Sequence, residues 1–421
     1  MSKGKNIVKS IESFFNHVSS LAKYQIRPGL SRIKKIMKKL GNPEKKIKYA
    51  HIAGTNGKGS TSILLAEILN SKFKKVGLFT SPEIIIYNDR IKINGIPISD
   101  SSLIFYAEKI MNAVKHSGVY LTEFEFCTAI MFLYFADEKV DFAVIETGMG
   151  GRLDSTNIGK ASVSIITSIS YDHIEFLGPK LENILKEKFA IMKNADYGIV
   201  GRLNQSANKL AEKYIAENNF LSKKLSKYGW NYKIFKKKNI VVFNNGIVSI
   251  DVSNIALFPE YQKYNLAAAL EAACIILNEN VKKININKIL SKIEIPFRFQ
   301  KMKNQENIYI DASHNVEGIN YFIKAAKKIN ATKKIAVYSC YKDKDFISIL
   351  RMLSSEFDGV YLYNLKHQRA ADISGLADDK KIIFFGSAAE ITQRIKKNKK
   401  FTYFVTGSYS TAREIAGLCA D

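Results

Sequence analysis

Short apolar runs alternate along most of the chain with stretches in which apolar residues recur at helical spacing. The apolar runs predict buried strands at residues 47–53, 75–80, 141–145 and 163–168. Helical spacing predicts a helix at residues 124–135, with Thr122 as its N-cap. Strands and helices that alternate in this way predict an α/β fold, with a mostly parallel sheet covered by helices on both faces.

The pattern also predicts what lies before and after this sheet. Two helices over residues 7–40, ended by Gly41-Asn42-Pro43, precede the first strand. Short alternating strands over residues 228–257, with a turn signal at Asn244-Asn245-Gly246, predict a small antiparallel insertion. A helix at residues 264–277 follows. Further strands are predicted at residues 307–310, 334–339, 359–363, 381–385 and 402–406. We therefore expect a first domain over residues 1–296 and a smaller Rossmann-like α/β domain over residues 297–421.

A glycine-rich segment joins the first predicted strand to a helix. Residues 54–61 read Gly-Thr-Asn-Gly-Lys-Gly-Ser-Thr. The free N–H groups of such a turn, the helix dipole and the Lys58 ammonium would converge on polyphosphate oxygens. The segment predicts a nucleotide-binding phosphate loop. It is a variant of the usual P-loop pattern, because Ile52 stands at the first glycine position and Gly59 separates Lys58 from Ser60.

Composition narrows the classes of partner. No apolar run approaches the roughly 18 residues of a membrane span, and residues 1–10 are polar, so we expect a cytoplasmic protein. The four cysteines are far apart without metal-ligand spacing, which predicts neither a disulfide nor a zinc site. The net charge of +25 could attract nucleic acid. However, only ten of the 64 basic residues are arginine, and the lysines cluster beside turns, so we expect solvated surfaces and no nucleic-acid partner.

Polar side chains follow the predicted strands of the first domain, where an open α/β sheet borders its ligand. Ser60 follows the phosphate loop, Ser81 the second strand, Glu146 the strand at residues 141–145, and His173 the strand at residues 163–168. Oxygen ligands beside a polyphosphate predict a magnesium site held by Glu146. The structural alternatives are an N-cap or salt bridge for Glu146 and a hydrogen-bonded strand-end histidine for His173.

Two more segments have the composition of ligand-binding turns. Residues 148–151, Gly-Met-Gly-Gly, let the backbone approach a ligand closely and deliver Arg152 and Asp154. Residues 311–315, Asp-Ala-Ser-His-Asn, follow a strand of the second domain. We expect them to face the nucleotide of the first domain across a cleft.

Taken in order, these segments resemble the folylpolyglutamate synthase family, often bifunctional with dihydrofolate synthase in bacteria, within the Mur ligase superfamily. The resemblance runs over nearly the whole chain, through residues 51–61, 78–82, 88–95, 124–126, 146–157, 167–173, 187–188, 296–300 and 311–315. It implies a Mur ligase-like fold and an ADP-forming carbon–nitrogen ligase. Such an enzyme adds L-glutamate to dihydropteroate or a reduced folate through an acyl phosphate.

The resemblance also implies residue roles. Gly57, Lys58, Gly59 and Ser60 would cradle ATP phosphates, and Asn265, Arg298, Asp311 and His314 would contact ATP. Ser60, Ser81 and Glu146 would surround one Mg²⁺. His173 would bind a second Mg²⁺ with Lys188, a position that is carbamylated in this family; a surface lysine is the alternative. Lys58, Glu146, His173 and Lys188 are thereby the predicted catalytic residues. Thr122, Glu123, Phe124 and Glu125, with Leu153, Asp154 and Ser155, would bind the pterin. The implied partners are small molecules, with the enzyme a monomer.

Some positions depart from the family pattern. Glu83 stands where relatives commonly carry histidine, and Tyr261 stands where a His-Gln pair usually precedes the helix with Asn265. Residues 339–345 and 407–410 keep only diverged forms of two other motifs. Two other classes of protein share some of these features. A peptidoglycan Mur ligase would carry a UDP-sugar domain before the loop, and only about 50 residues precede Gly54. A P-loop switch would not need a complete second domain.

Overall fold

The computed structural model describes residues 10–21, 27–115, 117–218, 232–235, 240–243, 248–251, 259–279, 284–291, 293–303, 305–366, 369–373 and 381–420. The chain divides into two compact units. The first unit comprises Met1–Ser170, Ile174–Asp251 and Tyr264–Ile293. The second unit comprises Tyr171–His173, Val252–Lys263 and Glu294–Asp421.

The first unit is built on a seven-stranded sheet. Its elements in chain order are α1 (Ile11–Leu21), α2 (Ser31–Lys39), β1 (Tyr49–Ala53), α3 (Lys58–Asn70), β2 (Val76–Phe79), β3 (Ile91–Ile93), β4 (Ile96–Pro97), α4 (Asp100–Lys115), α5 (Glu123–Asp137), β5 (Phe142–Glu146), β6 (Val163–Ile166), α6 (Ile174–Leu177), α7 (Leu181–Phe189), β7 (Tyr197–Val200), α8 (Gln205–Glu217), β8 (Tyr232–Phe235), β9 (Ile240–Phe243), β10 (Val248–Asp251), α9 (Glu260–Leu277, which starts in residues of the second unit) and α10 (Ile286–Leu290).

Strand order in this sheet is β4-β3-β2-β5-β1-β6-β7. The five strands from β2 to β7 pair in parallel, and β3 and β4 form an antiparallel edge. Helices α1, α2, α4 and α5 pack in one apolar cluster against Tyr49, Ala143 and Ile145, whereas α3, outside that cluster, contacts the same central strands. The prediction of a mostly parallel sheet covered on both faces is confirmed. A separate antiparallel sheet of order β10-β9-β8 forms the predicted insertion.

The second unit is a smaller α/β domain. It contains β11 (Gln300–Met302), β12 (Gln305–Ile310), α11 (Val316–Lys327), β13 (Lys334–Tyr338), α12 (Phe346–Glu356), β14 (Gly359–Tyr363), β15 (Ile382–Gly386), α13 (Ala388–Lys397), β16 (Thr402–Thr406) and α14 (Tyr409–Ala420). Strand order is β11-β12-β16-β13-β14-β15, with only the β11 edge antiparallel.

Aromatic side chains dominate the core of the second unit. Tyr309 on β12 stacks on Phe404 on β16, with ring centroids 5.3 Å apart. Phe299, Phe322 and Phe357 pack around the same pair. Because offset stacks and edge contacts add to the free energy of burial, this cluster ties α11 and α12 to the central strands.

Local sequence signals account for several element boundaries. Thr122 caps α5: its Oγ1 accepts from the Glu125 N–H at 3.2 Å, while the Glu125 carboxylate accepts from the Thr122 N–H at 2.8 Å. The predicted N-cap is confirmed. Gly57 stands directly before the first residue of α3. Its backbone is left-handed, with a φ of +87°, and that conformation favours glycine.

Two boundaries differ from the prediction. Helix α9 begins at Glu260, four residues earlier than predicted, because its first turn lacks the apolar periodicity of the rest. Tyr261 therefore lies inside the helix. Strands β3 and β4 were not predicted; with three and two residues they are too short for a recognisable alternation. The predicted turn at residues 244–246 lies outside the described residues.

Two remaining features concern the cysteines and the helices. All four cysteines are free. In the parts of the chain that the structure describes, no helix is both long enough and apolar enough to cross a bilayer.

Candidate active site

The phosphate loop, residues 54–61 between β1 and α3, is anchored to the segment that follows β6. The N–H and carbonyl of Asn56 both bond to Ser168 Oγ, at 2.8 and 3.0 Å. The Asn56 carbonyl also accepts from Thr167 Oγ1 at 2.7 Å. Thr55 Oγ1 donates to the Ser170 carbonyl at 3.0 Å. These bonds fix the loop backbone against the segment that follows β6.

Each glycine of the loop lies where a side chain would meet another group. A Cβ at Gly54 would overlap Thr167 Oγ1, and a Cβ at Gly57 would overlap the Asn265 side-chain oxygen. Asn265 extends from α9 and is buried. The helix residue predicted to contact ATP therefore packs directly on the loop. At Gly59, a Cβ would lie 3.4 Å from Glu146 Oε2. A side chain at this position would therefore start in van der Waals contact with that carboxylate.

Glu146 reaches the loop because of strand order. It ends β5 and is paired in register with Ile52 of β1, two residues before Gly54. Its side chain is buried, and its Oε2 accepts from the Ser81 N–H at 3.2 Å. Ser60 is also buried, in the first turn of α3. The structure thus brings three predicted metal ligands, Ser60, Ser81 and Glu146, to the carboxyl edge of the sheet beside the loop.

The two predicted catalytic lysines both bond to loop carbonyls. Lys58 Nζ donates to the carbonyls of Gly54 at 3.1 Å and Thr55 at 3.3 Å. Lys188, on α7, donates to the Gly54 carbonyl at 2.9 Å. Lys188 is only 3% exposed, so the alternative of a surface lysine is wrong. A buried ammonium beside a phosphate loop needs a reason, because burial of a charge is costly.

The glycine-rich turn at residues 148–151 docks on the helix that carries Lys188. A Cβ at Gly151 would lie 2.7 Å from the Glu187 carbonyl oxygen, so only glycine fits without displacement. The Arg152 N–H donates to that carbonyl at 2.8 Å, and the Arg152 guanidinium pairs with the Glu187 carboxylate. The turn is therefore fixed to α7 by packing, a backbone hydrogen bond and an ion pair.

The Asp154 carboxylate forms hydrogen bonds within this loop. Its carboxylate accepts from the Met149 N–H at 2.9 Å and from Thr156 Oγ1 at 2.5 Å. Burial raises the pKa of Asp154, and the bonds from Thr156 and Met149 partly offset that rise. Thr156 Oγ1 in turn lies 2.8 Å from Nε2 of His51 on β1. Burial lowers the pKa of His51 to about 3, so this ring is neutral.

The predicted pterin segments meet each other. The Phe124 ring lies on the backbone of Gly148, where it would block an added Cβ. Thr128 Oγ1, one turn further along α5, lies 2.7 Å from Ser155 Oγ. Leu153, between these contacts, is partly exposed.

A chain of charges surrounds the start of α5. Arg90 bonds to Glu123 at 2.7 Å and to Glu83, also at 2.7 Å. Arg32 bonds to Glu125 at 3.1 Å. Glu83, where relatives commonly carry histidine, is thus an ion-pair partner of a nearly buried arginine.

The second unit has its own polar centre around Asp311, which follows β12 and is fully buried. Its Oδ1 accepts from the Ser313 N–H at 2.8 Å and from Ser313 Oγ at 2.6 Å. Its Oδ2 accepts from the Tyr261 hydroxyl at 2.8 Å. Tyr261 thus supplies a hydrogen bond to the carboxylate. Burial and the Asp311 charge raise the pKa of Tyr261 well above its ordinary value.

His314 and His173 lie around another carboxylate, that of Asp172. His314 Nε2 is 3.4 Å and His173 Nε2 is 3.9 Å from Asp172 Oδ2. Lys344 Nζ is 2.7 Å from Asp172 Oδ1. Burial would raise the pKa of Asp172, but the His314 hydrogen bond and the charges of His314, His173 and Lys344 hold it well below its ordinary value.

Arg298 lies near the start of the second unit and contacts Tyr409, in the diverged motif at residues 407–410. Its guanidinium donates to the Tyr409 hydroxyl at 2.6 Å and lies 4.9 Å from the centre of the Tyr409 ring. The arginine is therefore held in place by the first residue of α14.

The residues beside the phosphate loop include donors of the kind that Mg²⁺ binds. Within the described residues, no three His, Cys, Asp or Glu side chains form a cluster that could hold a metal ion. Mg²⁺ commonly binds one or two carboxylates and completes its shell with phosphate oxygens and water. A single buried carboxylate, two serines and a phosphate loop match that requirement.

Sequence reasoning did not single out several residues that build these centres. His51, Thr156, Thr167 and Ser168 anchor the two loops of the first unit, and Asp172 gathers the histidines of the second. For Asp172, the signal was its place in Tyr171-Asp172-His173, directly after a strand. His51 lies in the strand predicted to be buried, but no local signal marked its bond to a residue 105 positions away.

The chain is similar to known proteins over both of its α/β domains. The family described as Mur ligase middle domain matches residues 52–273, and the Mur ligase glutamate ligase domain matches residues 297–408. The dihydrofolate synthase/folylpolyglutamate synthase of Bacillus subtilis (strain 168) is 34% identical over 372 residues, 86% of each chain. The enzyme of the same name from Buchnera aphidicola subsp. Schizaphis graminum is 33% identical over 402 residues, 93% of each chain.

A solved structure, Escherichia coli FolC in complex with DHPP and ADP, has a TM-score of 0.84 at 26% identity and covers 98% of each chain. The two domain matches and the loop define an ATP-dependent ligase of the Mur ligase type. The relatives that match over most of their length then show to which family of these ligases the chain belongs. The chain belongs to the dihydrofolate synthase/folylpolyglutamate synthase family. This favours the folate branch over a peptidoglycan ligase.

Proposed function

We propose that this enzyme joins L-glutamate to the carboxylate of dihydropteroate and of reduced folates, converting ATP to ADP and phosphate. The observation that carries the proposal is the position of the buried Glu146 carboxylate, 3.4 Å from where a Cβ at residue 59 would lie, beside a loop that also holds Lys58. This arrangement puts one carboxylate beside the segment that would bind phosphate oxygens.

The chemistry follows from the poor reactivity of a carboxylate. An acceptor carboxylate oxygen attacks the γ-phosphorus of ATP, a P–O bond forms, and ADP leaves. The glutamate amine then attacks the acyl carbon, so that a C–N bond forms and phosphate leaves. The N–H groups of Gly57 to Ser60 and the Lys58 ammonium would offset charge on the transferring phosphoryl group.

Magnesium would be held by Ser60, Ser81 and Glu146, and would supply charge stabilisation to the phosphate oxygens. For a second metal we propose His173 and carbamylated Lys188. Burial of Lys188 against the Gly54 carbonyl supports a modified side chain, since a carbamate would convert a buried cation into an oxygen ligand. Mass spectrometry of the intact protein, prepared with and without bicarbonate, tests this. A spectrum without the carbon dioxide adduct under both conditions would contradict it.

We further propose that Asn265, Arg298, Asp311 and His314 bind the nucleotide, and that the partly exposed Phe124 and Leu153 contact the pterin. Thr122, Glu125, Asp154 and Ser155 would shape that surface through the bonds described above, and Glu123 through its pair with Arg90. The proposal takes the enzyme to be a cytoplasmic monomer; sedimentation equilibrium at the assay concentration tests the oligomeric state.

The decisive experiment supplies purified enzyme with ATP, Mg²⁺, L-glutamate and either dihydropteroate or a reduced folate. Phosphate release and the glutamyl product are expected only when all components are present. Running both acceptors side by side shows whether the enzyme has one activity or two. Phosphate release that depends instead on a UDP-muramyl substrate would overturn the folate assignment, and nucleotide binding without an amide product would indicate a P-loop switch.

Variants of Lys58 and Glu146 test the roles proposed for these two residues. Lys58→Ala and Glu146→Ala are expected to abolish turnover and to leave the melting temperature near that of the wild type, because both residues lie at the ligand side of the sheet. Glu138→Ala is the matched control, since Glu138 forms an exposed ion pair with Lys75. Turnover of either loop variant within tenfold of wild type would contradict these roles.

A further inference from the structure

Lys344 is the most deeply buried charged side chain of the diverged motif at residues 339–345, and the mechanism above does not use it. It lies between β13 and α12, and its side chain is only 6% exposed. Its Nζ is 2.7 Å from Asp172 Oδ1, and the Asp172 side chain is 7% exposed. A nearly buried ion pair repays its desolvation only with good geometry and further hydrogen bonds. This pair has both.

The Asp172 carboxylate also lies within hydrogen-bond or ion-pair distance of His173, His314 and Asn315. Oδ1 also accepts from the His173 N–H at 2.9 Å. Oδ2 lies 3.4 Å from His314 Nε2 and 3.3 Å from Asn315 Nδ2. One carboxylate therefore joins three segments that are far apart in the sequence. All of them belong to the second unit.

Both histidines depend on this carboxylate for their orientation. The His314 ring is held at both nitrogens, since Nδ1 lies 3.1 Å from the Ala312 carbonyl and Nε2 faces Asp172. His173 has a φ of +52°, a left-handed conformation that costs a non-glycine residue about 1 kcal/mol. The bond from the His173 N–H to Asp172 Oδ1 stabilises that backbone, from which the imidazole extends.

The charges around Lys344 are balanced. Its ammonium also lies 3.5 Å from Asp343 Oδ2, and Asp343 pairs with Arg369 at 2.9 Å. Two carboxylates thus face two cations. Loss of the Lys344 charge would leave the buried Asp172 carboxylate without the cation 2.7 Å from its Oδ1, and an uncompensated buried charge is costly.

We propose that Lys344 is a positioning residue: by fixing Asp172, it holds His173 and His314 in the orientation that serves metal and phosphate binding. The inference rests on the proposed function, in which those two histidines act on the metal and the nucleotide. Lys344 itself is turned into the carboxylate, so it does not act as a substrate ligand. The alternative is an ion pair that only stabilises the second unit.

Three variants separate these roles. Lys344→Met removes the charge and keeps the length, Lys344→Arg keeps the charge, and Lys342→Met is the matched control. Lys342 is two residues away in the same segment and is exposed. Because partners of metal ligands typically contribute about 10–100-fold to activity or metal affinity, we expect Lys344→Met to lower kcat by about that factor. The Mg²⁺ concentration for half-maximal rate should rise, whereas KM for the folate stays within about twofold. Lys344→Arg should recover most of the loss, and Lys342→Met should match wild type.

Several outcomes would overturn the inference. Lys344→Met with wild-type kcat and Mg²⁺ dependence, or with only a lower melting temperature, would reduce Lys344 to a structural ion pair. An effect confined to KM for L-glutamate would make it a substrate ligand. If Lys344→Met does not fold, Asp172→Asn is assayed in the same way, with the same results deciding.

Wild-type turnover with either folate acceptor tests the proposed function independently of the role of Lys344. If wild type makes no product, calorimetric titration with ADP and Mg²⁺ still tests the positioning role. Weaker Mg²⁺-dependent ADP binding by Lys344→Met than by Lys342→Met would support it, and equal binding would overturn it.

Discussion

His51 offers a test of the buried polar network beneath the glycine-rich turn. The side chain is 1% exposed on β1, and its Nε2 lies 2.8 Å from Thr156 Oγ1, which bonds to Asp154. His51→Gln keeps a side-chain N–H donor near this position and removes the titration. The comparison of the two proteins therefore isolates the protonation of one buried ring.

The magnitude follows from the pKa of His51, which burial lowers from 6.5 to about 3. Below pH 6.5 the unfolded chain binds a proton that the folded chain excludes, so the free energy of unfolding falls as the pH falls. The loss is about 1.4 kcal/mol per pH unit until the folded pKa is reached, or about 2 kcal/mol between pH 6.5 and pH 5. His51→Gln does not undergo this loss.

The assay is urea unfolding followed by far-UV circular dichroism at pH 7.5 and pH 5.0. Other titrating groups are common to both proteins and cancel in the difference. The stability advantage of wild type over His51→Gln should shrink by about 2 kcal/mol at the lower pH. His17→Gln serves as a graded control, because partial burial on α1 also lowers the pKa of His17, and it should give a smaller change. An unchanged difference between wild type and His51→Gln would refute a neutral, buried His51.

Gly57→Ala and Gly118→Ala both place alanine at a positive φ, +87° and +66°, at a cost of about 1–2 kcal/mol each. Only Gly57→Ala also displaces Asn265, so calorimetric titration should show loss of ADP binding in that variant alone; equal binding would contradict the packing of Asn265 on the loop. Thr122→Ala should lower the free energy of unfolding by about 1 kcal/mol, whereas Thr122→Ser should retain it in urea titrations. Gly151→Ala should raise KM for the folate more than KM for ATP, since the new methyl group pushes the turn off α7; an equal rise in both would contradict that assignment.

Much of the fold was readable from the residues. The buried parallel strands appeared as apolar runs, and the N-cap of α5 as Thr122 before a segment of helical spacing. These signals are local, because backbone dihedral angles and the burial of one face depend on residues near in sequence. The short strands β3 and β4 and the start of α9 were missed for the same reason, since their local signal is weak.

The sequence by itself determined the elements, the phosphate loop and the set of polar residues at strand ends. Only the tertiary structure decided which of those residues meet. Glu146 lies beside Gly59 because β5 pairs with β1, and Asn265 reaches Gly57 from a helix about 200 residues along the chain. Likewise, Lys188 is buried against Gly54, and Lys344 meets Asp172 across 172 positions. Such contacts depend on strand order and helix packing, which arise from burial across the whole chain and leave no pattern in neighbouring residues.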